Sequence, residues 1–108
     1  MRVLFDQGTP VPLRGFLIGH EVITAFEAGW SEISNGDLLE KAEKEFDVLV
    51  TTDKQLKYQQ DLANRRIAIL VLPYASWIRL RNQAEKIARA VTAMQPSGYE
   101  ELQLDSDN

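Results

Sequence analysis

The sequence predicts an α/β domain with an open parallel sheet of four strands and helices on both faces. Short apolar runs alternate with segments of helical periodicity along the chain, as right-handed β-α-β crossovers require. The runs are apolar at consecutive residues, which is typical of parallel strands covered on both faces. A length of 108 residues suffices for one domain with a substantial core. We therefore predict a single domain over residues 1–96 and an acidic tail over residues 97–108.

In the first half of the chain, Arg2–Phe5 is predicted to be the first strand. Thr9 and Pro10 can cap and begin a short helix that ends near Phe16. A second strand is predicted at residues 20–24 from its β-branched content. Residues 25–34 are expected to be irregular.

The second half begins with a helix that Ser34 or Asn35 can cap. The third strand is predicted at residues 48–51, a further helix at 54–62 and the fourth strand at 67–72, the most apolar run. The longest helix is then predicted from Ser76 to Met94, before the helix-ending Pro96.

This last predicted helix carries two stripes of side chains. The apolar stripe is more extensive than one flank of a four-stranded sheet requires, so we expect a homodimer, with burial in the protein's own core as the alternative. The stripe comprises Trp77, Leu80, Ala84, Ile87, Val91 and Met94. The second stripe is basic.

Charge is unevenly distributed along the chain. Residues 65–89 contain six bases and one acid, which makes the segment +5 within a chain of net charge −4 and leaves −9 for the remainder. The bases are Arg65, Arg66, Arg79, Arg81, Lys86 and Arg89. Such a segment is expected to contact RNA or an acidic partner, and the alternative is a solvated helix face.

Composition restricts the possible chemistry. No cysteine is present and His20 is the sole histidine, so disulfides, thiolate zinc sites and Ser/His triads are not expected, and a metal site must use oxygen ligands. His20 opens a predicted strand and is interpreted as structural. No apolar run reaches the ~20 residues of a membrane span and no signal-peptide pattern follows Met1. We expect a cytoplasmic protein without a membrane partner.

Two aspartates follow predicted strands at the point where each strand ends. Asp6 follows the first strand, and Asp53 follows the third after Thr51 and Thr52. The simplest doubly wound strand order, 2-1-3-4, makes these strands neighbours, so the carboxylates would lie within a few ångströms and repel unless a cation or proton intervenes. The pattern predicts a divalent-metal site at Asp6 and Asp53. Alternatively, Asp53 caps the following helix.

Three segments of the chain resemble one protein family. They are Leu4-Phe5-Asp6, Asn35-Gly36-Asp37-Leu38-Leu39-Glu40-Lys41-Ala42 and Val48-Leu49-Val50-Thr51-Thr52-Asp53. In order and spacing they resemble the small PIN-like proteins related to the PIN-domain ribonucleases, and the likeness covers residues 1–72.

The resemblance implies a ribonuclease that uses Mg²⁺ or Mn²⁺ and acts as the toxin of a toxin–antitoxin pair, with an antitoxin as protein partner. It implies metal binding and catalysis by Asp6 and Asp53, with Asp37 and Asn35 as further site residues. Thr51, Thr52 or Asn35 would orient water or phosphate.

The chain departs from the family pattern at two places. Asn35 stands where relatives start the middle helix with aspartate, and Gln55-Leu56 stands where they often have aspartate and phenylalanine. The departures favour a catalytically inactive PIN-like protein that binds a partner chain, which is the alternative function. A phosphoacceptor domain of receiver type is weakened because a single acid follows the first strand and no lysine follows the last apolar run.

Overall fold

The computed structural model describes residues 1–104, with a parallel sheet between two layers of helices. The strands are β1 (Arg2–Phe5), β2 (Glu21–Thr24), β3 (Val48–Thr51), β4 (Ala68–Val71) and β5 (Tyr99–Glu101). They lie in the order β2-β1-β3-β4-β5, and each neighbouring pair is parallel. The predicted order 2-1-3-4 is confirmed, but the predicted count of four strands is wrong because β5 adds an edge strand.

The fifth strand lies in the segment that was predicted to be a tail. Ile69 N donates to Gly98 O and Leu102 N donates to Val71 O, each at 2.8 Å, so the backbone is tied to β4 on both sides of β5. Leu102 is buried beside it. A three-residue edge strand with two glutamates has no apolar run, which explains why the pattern did not indicate it. Residues 105–108 of the predicted tail lie outside the described residues.

The helices are α1 (Ala25–Ala28), α2 (Asn35–Glu45), α3 (Leu56–Gln59), α4 (Trp77–Leu80) and α5 (Ala84–Ala93), with 3₁₀ helices at Val11–Phe16 and Arg81–Gln83. The predicted irregular segment therefore contains α1, which Thr24 and Glu27 begin as a capping box. The predicted helix at 54–62 is shorter. The predicted long helix is interrupted by the second 3₁₀ turn, because Gln83 leaves the helical region with φ −122° and ψ 16°.

The sheet separates two apolar cores. Side chains alternate along each strand, so Val3 and Phe5 face one layer while Leu4 faces the other. The 3₁₀ helix Val11–Phe16, α4 and α5 cover the first face, whereas α2 and α3 cover the second. Because helices pack on both faces of the sheet, the loops at the carboxyl ends of the strands lie between two helical layers.

The apolar stripe of the predicted long helix belongs to the first core. Leu80, Ile87 and Val91 are completely buried within the chain, and Met94 is nearly so. Trp77 is partly buried, with its ring centroid 5.8 Å from that of Phe16. The stripe is therefore intramolecular, and the expected homodimer loses the surface on which it was based.

His20 connects three parts of the fold. Its Nδ1 lies 3.2 Å from the N-terminal amine and its Nε2 lies 3.0 Å from Thr92 Oγ1 on α5. These contacts agree with the structural role that was predicted. Among residues 1–104, no helix combines the length and the apolar character needed to cross a bilayer.

Candidate functional site

Asp6 and Asp53 both lie at the carboxyl edge of the sheet. Phe5 of β1 is in register with Val50 of β3, so the two adjacent strands end side by side. Strand β2 pairs with one edge of β1, and β3 pairs with the other edge. The strand order therefore reverses between β1 and β3. In open α/β sheets, ligands bind in the crevice at this point.

The buried hydroxyl of Thr51 joins the two acidic residues. It donates to Asp6 Oδ2 at 2.8 Å and accepts from the backbone N–H of Asp53 at 3.0 Å. The other oxygen of Asp6 accepts from Gln7 N at 2.8 Å. Thr51 is completely buried at the end of β3, so it fixes both positions rigidly.

Burial raises the pKa of Asp6 above its ordinary value of 3.8. The hydrogen bonds from Thr51 and from Gln7 N oppose this effect, and the negative charge of Asp53 adds to it. The expected repulsion between the two carboxylates is thus present, but loss of hydration contributes more to the shift in pKa.

Asp53 is held from the side of α2. Asn35 Nδ2 donates to Asp53 Oδ2 and to Gln59 Oε1, each at 3.2 Å. Asp53 Oδ1 accepts from Gln55 N at 2.9 Å, which makes a local turn before α3. Helix α3 begins only at Leu56, so Asp53 stabilises the approach to the helix and is not its N-cap.

Thr9 and Gln59 have roles that the sequence did not indicate. The Thr9 hydroxyl does not cap the 3₁₀ helix but donates to Val50 O at 3.0 Å, which ties the loop after β1 to β3. Gln59 supports Asn35 from α3. No periodicity or motif marks a side chain whose partner is so distant in sequence.

Two other predicted site residues are less closely involved. Asp37 is exposed in the first turn of α2, and its backbone N–H donates to the capping Ser34. Thr52 is half-buried beside Gly8. Within the described part of the chain, no group of three or more histidine or acidic side chains could hold a metal ion. Among the described acids, Asp6 and Asp53 are the pair that the Thr51 hydroxyl connects.

The two carboxylates are compatible with Mg²⁺ or Mn²⁺ as a weakly held ion. Each of their four oxygens receives one hydrogen bond, which leaves further lone pairs on every oxygen. Mg²⁺ commonly binds to one or two carboxylates and takes its remaining ligands from water and substrate phosphates.

A cleft of about 450 Å³ opens beside Asp6. Phe5, Val11 and Phe26 give it an apolar lining, and Val11 and Phe26 are strongly exposed. An ion pair between Arg14 and Glu27, which also line the cleft, has an N–O distance of 3.1 Å. The cleft thus combines the carboxylate of Asp6 and the ion-paired carboxylate of Glu27 with an apolar lining.

The basic segment over residues 65–89 does not form one surface. Arg65 and Arg66 precede β4 and lie at the amino edge, opposite to Asp6 and Asp53. There, Glu43 accepts from Arg66 N at 2.6 Å and pairs with Arg65 Nη1 at 3.3 Å. The Arg66 N–H, with help from the Arg65 guanidinium, holds the pKa of Glu43 below its ordinary value of 4.5. These two arginines therefore serve to join α2 to the start of β4.

The remaining bases occupy two other places. Arg79 lies over the ring of Tyr74, with 3.7 Å between the guanidinium carbon and the ring centroid. Arg81, Lys86 and Arg89 line a separate cleft of about 360 Å³ together with Phe16. A contiguous cationic surface is thus limited to the last three residues.

Comparison with known proteins found no match. No family model, no curated protein and no solved structure aligned with the chain. The features that bear on function are the residues at the carboxyl edge and the resemblance of three short segments to PIN-like proteins.

Proposed function

We propose that this chain is a PIN-like ribonuclease that uses Mg²⁺ or Mn²⁺ bound to Asp6 and Asp53. The observation that carries the proposal is the position of these carboxylates at the ends of adjacent parallel strands, where the Thr51 hydroxyl connects them. Parallel strand ends at a reversal of strand order are where α/β proteins bind their ligands. The PIN-like resemblance supplies the substrate class, RNA.

Each residue has a definite task in this proposal. Asp6 and Asp53 provide anionic oxygen ligands, Thr51 orients the first, and Asn35 orients the second. A divalent ion held by these carboxylates would supply polarisation of a phosphate oxygen and a lowered pKa of a coordinated water. The Asn35 amide oxygen and the Thr52 hydroxyl are the groups proposed to orient that water or the phosphate.

The small number of acids predicts that metal binding depends on RNA. With two carboxylates as protein ligands, water and substrate phosphates would supply the remaining ligands, and each phosphate would add a charged one. The ion should therefore bind weakly to the protein alone and more tightly in the presence of an RNA that is not cleaved. This coupling would distinguish the site from a preformed metal cage.

The alternative is a PIN-like protein that has lost catalysis and binds a partner chain, as an antitoxin would be bound. The specific observation in its favour is that residues 1–104 hold no group of three potential metal-binding acids. Asn35 occupies the position at which a third carboxylate would approach Asp53.

Thermal unfolding with Mn²⁺, combined with an RNA cleavage assay, tests the proposal. Free ion at ten times its dissociation constant would add about 1.4 kcal/mol and raise the melting temperature by roughly 5–10 °C. Asp6→Asn should abolish both this rise and cleavage. Glu40→Gln, an exposed change on α2, is the matched control and should alter neither.

The possible outcomes separate the two functions. A melting shift that requires Asp6 and is accompanied by cleavage supports the ribonuclease. The same shift without cleavage of any RNA supports the inactive protein. Identical melting curves with and without Mn²⁺, also in the presence of RNA, would reject the metal site. Growth arrest on expression that requires Asp6 would support the toxin role.

A further inference from the structure

A second cleft, about 360 Å³ in volume, lies on the face of the sheet that α4 and α5 cover. One side is formed by Phe16, at the end of the 3₁₀ helix Val11–Phe16. The other side is formed by the junction of α4 and α5, which contributes Arg81, Lys86 and Arg89. The interruption of the predicted long helix at Gln83 creates this concave junction.

The cleft is suited to an anion. Three cationic side chains and one acid, Glu85, line it, although the whole chain has a net charge of −4. Among the described residues, ion pairs engage neither Arg81 nor Arg89. Guanidinium groups bind phosphate through paired N–H donors.

The exposed Phe16 ring indicates which kind of anion the basic cleft binds. The Phe16 ring is 42% exposed although it also contacts Trp77. Proteins that bind single-stranded nucleic acid combine cationic grooves with exposed aromatic rings on which bases stack. The acidic side chains of a peptide would use the cations but not the ring, whereas every nucleotide offers a base together with its phosphate.

The position of the cleft relative to Asp6 is also informative. One 3₁₀ helix lines both clefts, with Arg14 in the cleft beside Asp6 and Phe16 in the basic cleft. The two clefts therefore share this short helix as part of their walls.

We propose that the basic cleft binds the backbone of single-stranded RNA, with Arg81, Lys86 and Arg89 on phosphates and Phe16 against a base. The RNA continues over the 3₁₀ helix to the cleft beside Asp6. The choice of RNA rests on the proposed function, but binding in this cleft requires neither a metal ion nor cleavage.

Anisotropy of a short fluorescent oligouridylate in the presence of EDTA tests the cleft separately from catalysis. Three neutralised phosphates predict a log–log salt slope of about −2, which is a roughly 20-fold loss of affinity between about 50 and 200 mM salt. Arg81→Gln with Arg89→Gln should reduce this loss to roughly threefold. Lys41→Gln with Lys44→Gln is the control, because it changes the net charge equally on exposed residues of α2 and should retain the wild-type slope.

The aromatic contact has its own variant. Phe16→Leu keeps an apolar side chain against Trp77 and should lower affinity about tenfold without changing the salt slope, since stacking involves no counterions. Melting curves of every variant verify that the fold is intact. An Mn²⁺ melting shift that persists in the arginine double variant would show that the cleft and the Asp6–Asp53 site act separately.

Three results would overturn the proposal. Equal salt slopes for the arginine and lysine double variants would place RNA elsewhere on the surface. Absence of oligouridylate binding at low salt would remove RNA as the ligand, whatever the Mn²⁺ titration gives. Binding of polyglutamate that is lost in the arginine double variant, without binding of oligouridylate, would assign the cleft to an acidic protein partner.

Discussion

The Thr51 hydroxyl donates a hydrogen bond of 2.8 Å to Asp6 Oδ2 and so joins the ends of two strands whose residues are 45 positions apart in sequence. Thr51 Oγ1 also accepts a hydrogen bond from the backbone N–H of Asp53. One buried side chain thereby sets the relative position of the two acids on which the proposed metal site depends. Its contribution can be measured by removing the hydroxyl alone.

Thr51→Val should lower the free energy of unfolding by about 1–3 kcal/mol, because it leaves the part-buried Asp53 N–H and one oxygen of Asp6 without a partner. The melting temperature should fall by roughly 4–8 °C for each kcal/mol. Thr52→Val, at a half-buried neighbour, serves as the control and should have little effect. Equal melting temperatures for the two variants would show that the hydroxyl does not support the site.

Asn35→Asp should strengthen metal binding. Asn35 Nδ2 lies 3.2 Å from Asp53 Oδ2, so an aspartate there would add a third carboxylate to the pair. Without metal, lost hydrogen bonds and added repulsion should lower the melting temperature. With Mn²⁺ the affinity should rise on the order of tenfold, because the number of charged ligands tunes such sites.

The control for this substitution is Asn64→Asp. Asn64 also donates to an aspartate, Asp61, but both residues are exposed and lie in the loop that precedes β4. It should not increase the Mn²⁺ melting shift. An equal increase in both variants would mean that added charge, and not the geometry at Asp53, governs binding.

Glu43 should make stability depend on pH. The N–H of Arg66 and the Arg65 guanidinium lower its pKa in the folded state, so its contribution is present above the ordinary value of 4.5 and is lost as the pH falls through the lowered pKa. Glu43→Gln should therefore be less stable than the wild type at pH 7, and the difference should shrink in acid. Denaturant unfolding over this range measures it.

Glu40→Gln provides the reference for that experiment, since Glu40 is exposed on the same helix. Its difference from the wild type should be small and should change little with pH. A constant difference for Glu43→Gln from pH 7 into acid would contradict the role assigned to the Arg66 N–H and Arg65.

Ile87→Ala should lower the free energy of unfolding by about 2–5 kcal/mol, because Ile87 is completely buried on α5. The melting temperature should not depend on protein concentration, since the surrounding apolar stripe packs within one chain. Ile78→Ala on α4 is the control, as Ile78 is 72% exposed. A concentration-dependent melting temperature, or a larger loss for Ile78→Ala, would restore the homodimer as the better interpretation.

Several features of the fold could be predicted from short patterns of apolar residues in the sequence. The runs that became β1, β3 and β4 are apolar because both faces of the sheet are covered, and this leaves a direct trace in sequence. The order of these strands was predicted as the simplest doubly wound arrangement of right-handed crossovers. Two acids at adjacent strand ends could therefore be anticipated from Asp6 and Asp53 alone.

Other features left no such trace. β5 pairs through its backbone, and backbone hydrogen bonds do not require apolar residues such as those that marked the other strands. The break at Gln83 is a conformational departure within a continuous helical pattern. The number of basic residues could be read from the sequence. Only the folded structure shows that Arg65 and Arg66 lie apart from Arg81 and Arg89.

The sequence by itself determined an α/β chain with a parallel sheet, the neighbouring positions of β1 and β3, and the placement of Asp6 and Asp53 at their carboxyl ends. These follow from periodicity and chirality, which act over a few residues or one crossover. Only the tertiary structure decided that Thr51 joins the acids, that Asn35 holds Asp53, that the stripe on α5 is core, and that a basic cleft adjoins Phe16. Each of these depends on side chains that are distant in sequence and meet only when the layers pack.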